Sequence, residues 1–180
     1  PMGVLSDRKT LRDKDGKKRW KIIERIGKGS FAEIYSARDL VDKSIVAVKV
    51  ANSARGATKQ LRHEHSVLKA LQGCSHVCTL IYFGKHNNLH FIVMEKLQHS
   101  LSHLRDLGGR SIRMAGEIGQ EMLRCIEALH IRGYIHRDIK PSNFGIPEHN
   151  ERDHECKILD FGLSRKYIDD KRKHKSERIY

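Results

Sequence analysis

Asp138, Lys140 and Asn143 stand close together in the run Tyr134-Ile135-His136-Arg137-Asp138-Ile139-Lys140-Pro141-Ser142-Asn143. A carboxylate, an ammonium and an amide in that order suit phosphoryl transfer. The carboxylate can orient an attacking hydroxyl, the cation can sit on the moving phosphate, and the amide oxygen can ligate Mg²⁺. The plain alternative is a charged loop after a helix. Three other stretches weigh against it. Gly27-Lys28-Gly29-Ser30-Phe31-Ala32-Glu33-Ile34 has the small residues that let backbone N–H groups approach phosphate oxygens. Val46-Ala47-Val48-Lys49 puts a lysine in an apolar strand, where an unpaired charge is costly. Asp160-Phe161-Gly162 adds a second carboxylate. A glycine pair alone is weak evidence, because many hairpin tips carry glycine; the ordered set carries the argument.

These residues need elements to hold them. Trp20–Ile26 and Phe31–Arg38 read as two strands of a hairpin whose tip carries Gly27 and Gly29. Ser44–Val50 is an apolar β-branched strand. Thr58–Gln72 reads as a helix, with Leu61, Leu68 and Leu71 at helical spacing and Glu64 three residues after Leu61. The neighbouring His63 and His65 read as surface residues. His76–Leu80 leads into a strand ending at Phe83-Gly84, Asn87-Asn88 signals a turn, and Leu89–Met94 is a further strand. Ser100–Leu107 predicts a short helix closed by Gly108-Gly109. Met114–Arg132 predicts a long one, with a core stripe of Met114, Ile118, Met122, Cys125, Ile126 and Leu129 and Gly133 as its cap. Short strands follow at Asn143–Ile146 and Lys157–Leu159, with a polar loop between them. The basic stretch Arg165–Tyr180 is expected to be mobile.

Composition bounds the rest. The 180 residues are 38% hydrophobic and 32% charged, which fits a soluble globular domain with a core of its own. The net charge of +13 attracts polyanions, with acidic protein segments first; no nucleic-acid module is visible. Cys74, Cys78, Cys125 and Cys156 form no paired zinc pattern and read as free thiols of a reducing compartment, cytoplasmic or also nuclear. His149, Asp153 and His154 read as solvated rather than metal-bound. No apolar run resembles a signal peptide or reaches membrane-spanning length.

The order of glycine loop, strand lysine, helix glutamate, H-R-D and D-F-G resembles the protein kinases. The runs His136–Phe144 and Leu159–Arg165 resemble the casein kinase I superfamily. Within it, Leu71-Gln72-Gly73 followed by His76-Val77-Cys78 is similar to the tau-tubulin kinases. The resemblance covers about Trp20 to Arg165. It implies an α+β, protein-kinase-like fold: a complete N-lobe antiparallel sheet with one helix, and a partial helical C-lobe. The implied divisions are a basic flexible lead-in over 1–19 with room for one short strand, an N-lobe over 20–95, and the hinge and partial C-lobe over 96–180. The implied activity is transfer of the γ-phosphate of ATP, with Mg²⁺, to Ser or Thr of proteins with acidic or phosphorylated segments. In that scheme Asp138 is the base, Lys140 lies near the γ-phosphate, and Lys49 holds the α- and β-phosphates while paired with Glu64. Asn143 and Asp160 hold the metal. Nucleotide contacts fall to Ile26, Gly27, Lys28, Gly29, Ser30, Ile34, Ala47, Lys49, Met94 as gatekeeper, and the hinge residues Glu95 and Leu97.

This sequence departs from the family pattern in three places. Ala32 replaces the third loop glycine. Gly145 replaces a larger apolar residue under the adenine, an expected loss of about 1 kcal/mol per missing methylene. The chain also stops eighteen residues after Gly162 and so reads as a fragment or truncated product, whose long helix would expose part of its stripe. The alternative function is a non-catalytic nucleotide- or partner-binding module.

Overall fold

The strand Ile45–Ala51 explains the architecture, because both of its faces are apolar. In the computed structural model, which describes residues 4–5, 10–106, 112–147, 155–169 and 173–174, it is the fourth strand, β4. Before it come β1 (Thr10–Arg12), β2 (Lys18–Lys28) and β3 (Ala32–Asp39); after it come α1 (Ala57–Ala70), β5 (Leu80–His86) and β6 (Leu89–Glu95). The strands form one antiparallel sheet in the order β1-β2-β3-β4-β6-β5. Successive side chains of a strand point to opposite faces. Val46, Val48 and Val50 therefore join Trp20, Ile22, Tyr35, Phe91 and Val93 in one core. Ala47 and Ala51 join Ile92, Met94 and the buried face of α1 in the other. Lys49 falls on this second face.

The second core runs on without a break into the rest of the chain. β7 (Leu97–Ser100), α2 (Leu101–Asp106) and α3 (Ile112–Ile131) follow the sheet. Next come β8 (Tyr134–Ile135), a single 3₁₀ turn (Pro141–Asn143), β9 (Phe144–Pro147), β10 (Lys157–Ile158) and β11 (Arg165–Lys166). Leu101, Cys125, Leu129, Phe144, Ile158 and Phe161 pack in the same cluster as Leu61 and Leu68 of α1. A small sheet in the order β10-β9-β7 carries the chain across. No helix among the described residues is long and apolar enough to cross a membrane.

Several expectations are corrected. The lead-in carries the one short strand expected of it, β1, but its described part is not a loose tail. β1 pairs with β2 through a turn in which Asp13 Oδ1 accepts the N–H groups of Asp15 and Lys17, and Leu11 and Leu5 are buried in the first core. Residues 165–169 are tied down as well: β11 pairs with β8, Tyr167 N–H donates to Gly133 O at 2.9 Å, and Tyr167 Oη–H donates to His130 O. On α3, Cys125 and Leu129 are fully buried, whereas Ile118, Met122 and Ile126 are only partly so, and Met114 is half-buried. Ile112, Leu123 and Ile131 are the large apolar residues exposed on that helix. The strand β7, where the sequence suggested only a hinge, forms because Leu97–Ser100 finds the edge of β9. Gly108-Gly109, the loop with His149, Asp153 and His154, and most of Lys171–Tyr180 lie outside the described residues.

Gly133 caps α3 at φ +79°, and a Cβ there would stand 2.4 Å from the Ile168 side chain. Gly133→Ala is therefore expected to destabilise the fold by about 1–3 kcal/mol, from left-handed backbone and overpacking together. The checks are thermal melting and limited proteolysis, with faster cleavage after Arg165 and Lys166. An unchanged melting temperature would show that residues 165–169 are not anchored there.

Candidate active site

Lys49 reaches across the second core to α1. Its Nζ lies 2.8 Å from Glu64 Oε1 and 2.7 Å from Oε2, and 3.1 Å from Asp160 Oδ1. Glu64 sits in the buried stripe of α1 with Ala57, Leu61, Val67 and Leu68, so helix packing aims its carboxylate inward. Burial works against the Lys49 charge, but the Glu64 and Asp160 carboxylates outweigh it and raise the ammonium above its ordinary value. Burial pushes Glu64 upward too, against Lys49, while Asp160 competes for the same cation. Two carboxylates face one Lys49 ammonium within ion-pair distance, so the site favours the charged lysine. Asp160 is lowered: burial opposes its charge, and Lys49 and the Gly162 N–H overcome that. Its side chain is 44% exposed, so it is the open end of a triad whose other half is dry.

The catalytic-loop candidates form a second cluster. Asp138 receives Lys140 Nζ at 2.7 Å and Asn143 Nδ2 at 2.9 Å on one carboxylate oxygen. Asn143 Nδ2 also donates to Asp138 O, which fixes the amide and leaves Oδ1 as the atom that could meet a cation. His136 is buried. Its Nε2–H donates to Leu159 O at 2.8 Å, and its Nδ1 accepts from Asp138 N–H, so these two bonds assign the tautomer. Arg137 Nε–H donates to Leu163 O, and Ser164 Oγ–H donates to His136 O. These contacts hold Arg137 at φ +68° and Asp160 at φ +63°, left-handed conformations uncommon for such residues and found where structure over-determines them. His63 is exposed, as expected, with its Nε2 at 2.7 Å from Ser164 O; His65 is partly buried and stacks on Phe83.

Both clusters open on one cleft of about 430 Å³. Of the residues expected there, Gly29, Ser30, Ile34, Lys49, Glu64, Asp138, Lys140 and Asp160 line it. Asn143 sits behind Asp138. Ala47 and Met94 are cross-strand neighbours on β4 and β6, both buried on the Lys49 face. Gly27 lies on Ile34, while Ile26 is 47% exposed and Lys28 is exposed on the hairpin. Glu95 turns its carboxylate to Lys157 at 2.6 Å and to Thr79 N–H, tying β6 to β10. Leu97 fills the room that Gly145 leaves: a Cβ on Gly145 would stand 2.6 Å from Leu97 Cδ1. Neither Gly145 nor Leu97 is among the residues lining the cleft. Lining residues that sequence reasoning missed include Phe31 and Gln60. Gln60 was findable, one turn before Glu64 on the same helix face.

The oxygen set at the cleft suits Mg²⁺. Asp160 Oδ1 is engaged by Lys49 and Gly162 N–H, so Oδ2, with Asn143 Oδ1, offers the hard ligands such a cation takes. No cluster of three or more His, Cys, Asp or Glu side chains suited to a metal occurs among the described residues, so any divalent ion here would complete its shell with water or substrate oxygens.

The protein kinase domain family matches residues 20–179. The chain is 38% identical over 155 residues to a probable serine/threonine-protein kinase of Dictyostelium discoideum, which covers 84% of this chain and 31% of that protein. It is 33% identical over 153 residues to casein kinase I homolog 1 of Schizosaccharomyces pombe, covering 83% of this chain and 34% of that one. The chain spans about a third of the length of these relatives.

Asp138 is held below the ordinary carboxylate value of 3.8, first by Lys140 and then, against a smaller effect of burial, by Asn143. A depressed folded value means the interaction is fully present above about pH 4 and is lost as pH falls through that value. In Lys140→Met the Asp138 carboxyl is expected to titrate closer to 3.8. Carbon-detected NMR titration of the side chain checks this, and an unmoved Asp138 would show that the ion pair does not form in solution.

Proposed function

The chain belongs to the protein kinase domain family, and on that premise we propose that its cleft transfers the γ-phosphate of ATP to Ser or Thr hydroxyls of proteins, preferring acidic or already phosphorylated segments. The observation that carries this reading is the shared cleft: Lys49, braced by Glu64, faces the same space as Asp138, Lys140 and Asp160. Lys49 receives the α- and β-phosphates. Glu64 keeps its ammonium aimed there, and the half-exposed Asp160 is the partner free to turn toward a cation. Asn143 and Asp160 hold Mg²⁺, which when bound neutralises charge on the phosphates. Asp138 orients the substrate hydroxyl and takes its proton; Lys140 and Asn143 favour its charged form. Lys140 adds positive charge beside it. Gly27, Gly29 and Ser30 bring backbone N–H groups over the phosphates. Ala47, Met94 and Leu97, with Ile26 and Ile34, enclose the base. The +13 net charge favours acidic substrates by raising their local concentration.

The test measures transfer of label from γ-labelled ATP, with Mg²⁺, to an acidic Ser-rich protein, with Asp138→Asn and Lys49→Met in parallel. Each variant is expected to lose activity by a factor on the order of 10²–10³, as when one preorganised electrostatic contact is removed. Asp138→Asn should keep its nucleotide affinity, whereas Lys49→Met should lose part of it. A chain that melts cooperatively and binds ATP but transfers nothing would be the non-catalytic nucleotide-binding module instead.

A further inference from the structure

Ala32 and Ile34 line the cleft, so the alternation of β3 turns Glu33 and Tyr35 to the opposite face of the sheet. A carboxylate beside a hairpin tip would ordinarily sit in water. Glu33 is instead 4% exposed and Tyr35 1%. What covers them is the segment Val4–Leu5. Val4 N–H donates to Glu33 Oε2 at 2.8 Å, and Leu5 N–H donates to the Tyr35 hydroxyl at 3.0 Å. The Tyr35 hydroxyl in turn donates to Glu33 Oε2 in a short bond. Arg25, directly across from Tyr35 on β2, closes the network at 3.4 Å from Glu33 Oε1. Leu5, 2% exposed, plugs the first core beside Trp20 and Ile22. A connected polar network of this kind stiffens what it joins, and each member left unpaired is costly.

We propose that Val4–Leu5 is a strap that fixes the glycine-rich turn from behind, with Leu5, Glu33 and Tyr35 as positioning residues for nucleotide binding. The mechanical path is short. Glu33 stands opposite Lys28 in the hairpin and adjoins Ala32, whose carbonyl accepts Gly29 N–H at 2.8 Å. A strapped Glu33 therefore holds the turn in one setting before nucleotide arrives, which lowers the ordering cost of binding. The effect on nucleotide affinity rests on the kinase reading; the effect on the rigidity of the turn does not.

The experiment uses the full chain and the variants Leu5→Ala, Tyr35→Phe and Leu5→Met. Amide hydrogen exchange without nucleotide is expected to speed up about tenfold or more over Gly27–Glu33 in the first two, with the Cys125–Leu129 turn of α3 unchanged. Their KM for ATP should rise several-fold while kcat stays within twofold, and Leu5→Met, which keeps the volume, should behave as the parent. Unchanged exchange at Gly27–Glu33 in both Leu5→Ala and Tyr35→Phe overturns the strap. So does exchange that rises equally in α3, which would mean plain loss of stability. If the parent chain transfers no phosphate, the exchange measurement alone decides the strap, and the failure belongs to the kinase reading.

Discussion

The buried charge of Lys49 sets the terms for everything around it. An ammonium on the core face of a strand survives only with a partner held in place, and leaving one member of a buried ion pair alone costs about 3–5 kcal/mol. Glu64 meets that demand only if α1 packs with its Ala57–Leu61–Val67–Leu68 stripe against β4 and β6. Asp160 meets it only if the segment after β10 returns beneath the sheet, which the burial of Phe161 in the same core secures. One lysine thus couples a strand, a helix and a loop 111 residues further along the chain. The triad is also asymmetric. Glu64 is dry and Asp160 half-exposed, so the first fixes the ammonium while the second can exchange partners at little cost in desolvation.

The two faces of the sheet divide the labour. One face carries the cleft, lined by Lys49, with the buried Ala47 and Met94 on the same face of the sheet. The other face is a second core, sealed by Trp20, Leu11 and Leu5 and pinned by the buried Asp39, which accepts from Trp20 Nε1 and Arg19. A sheet buried on both sides cannot slip register without moving apolar residues into polar places and the reverse. That rigidity is what lets single atoms such as Lys49 Nζ be held within ion-pair distance of two carboxylates.

Much of this was legible in the sequence, and the parts that were not share a cause. The hairpin, the lysine strand, both main helices and the catalytic loop announce themselves by local pattern: period two, period 3.6, and motifs whose residues are close in sequence. Reading the Lys49–Glu64 partnership needed the family resemblance, since nothing local links the two residues. Apart from the lining residues Phe31 and Gln60, the misses are long-range. Leu5 looks like one apolar residue in a basic tail until Trp20 and Tyr35 offer it a pocket. Leu97–Ser100 carries too little pattern to be a strand until β9 supplies an edge. Tyr167 and Ile168 sit in a charged stretch whose anchorage depends on a glycine 34 residues before Tyr167. The close approach of Leu97 to Gly145 likewise joins β7 to β9, two strands far apart in sequence.

Arg137 and Asp160 both take left-handed backbone, at φ +68° and φ +63°, and neither is glycine. Each such residue costs on the order of 1–3 kcal/mol and persists only where its surroundings over-determine it. His136 supplies much of that constraint: Nε2–H to Leu159 O fixes the residue before Asp160, and Nδ1 to Asp138 N–H fixes the residue after Arg137. Its ring packs edge-on against Phe161, which anchors the turn from the core side. One buried imidazole therefore sets the backbone of both acidic positions at once. The strained residues stand at or beside the two carboxylates, Asp138 and Asp160, which line one cleft from two separate chain segments. Ordinary backbone at Arg137 or Asp160 would turn one of them away.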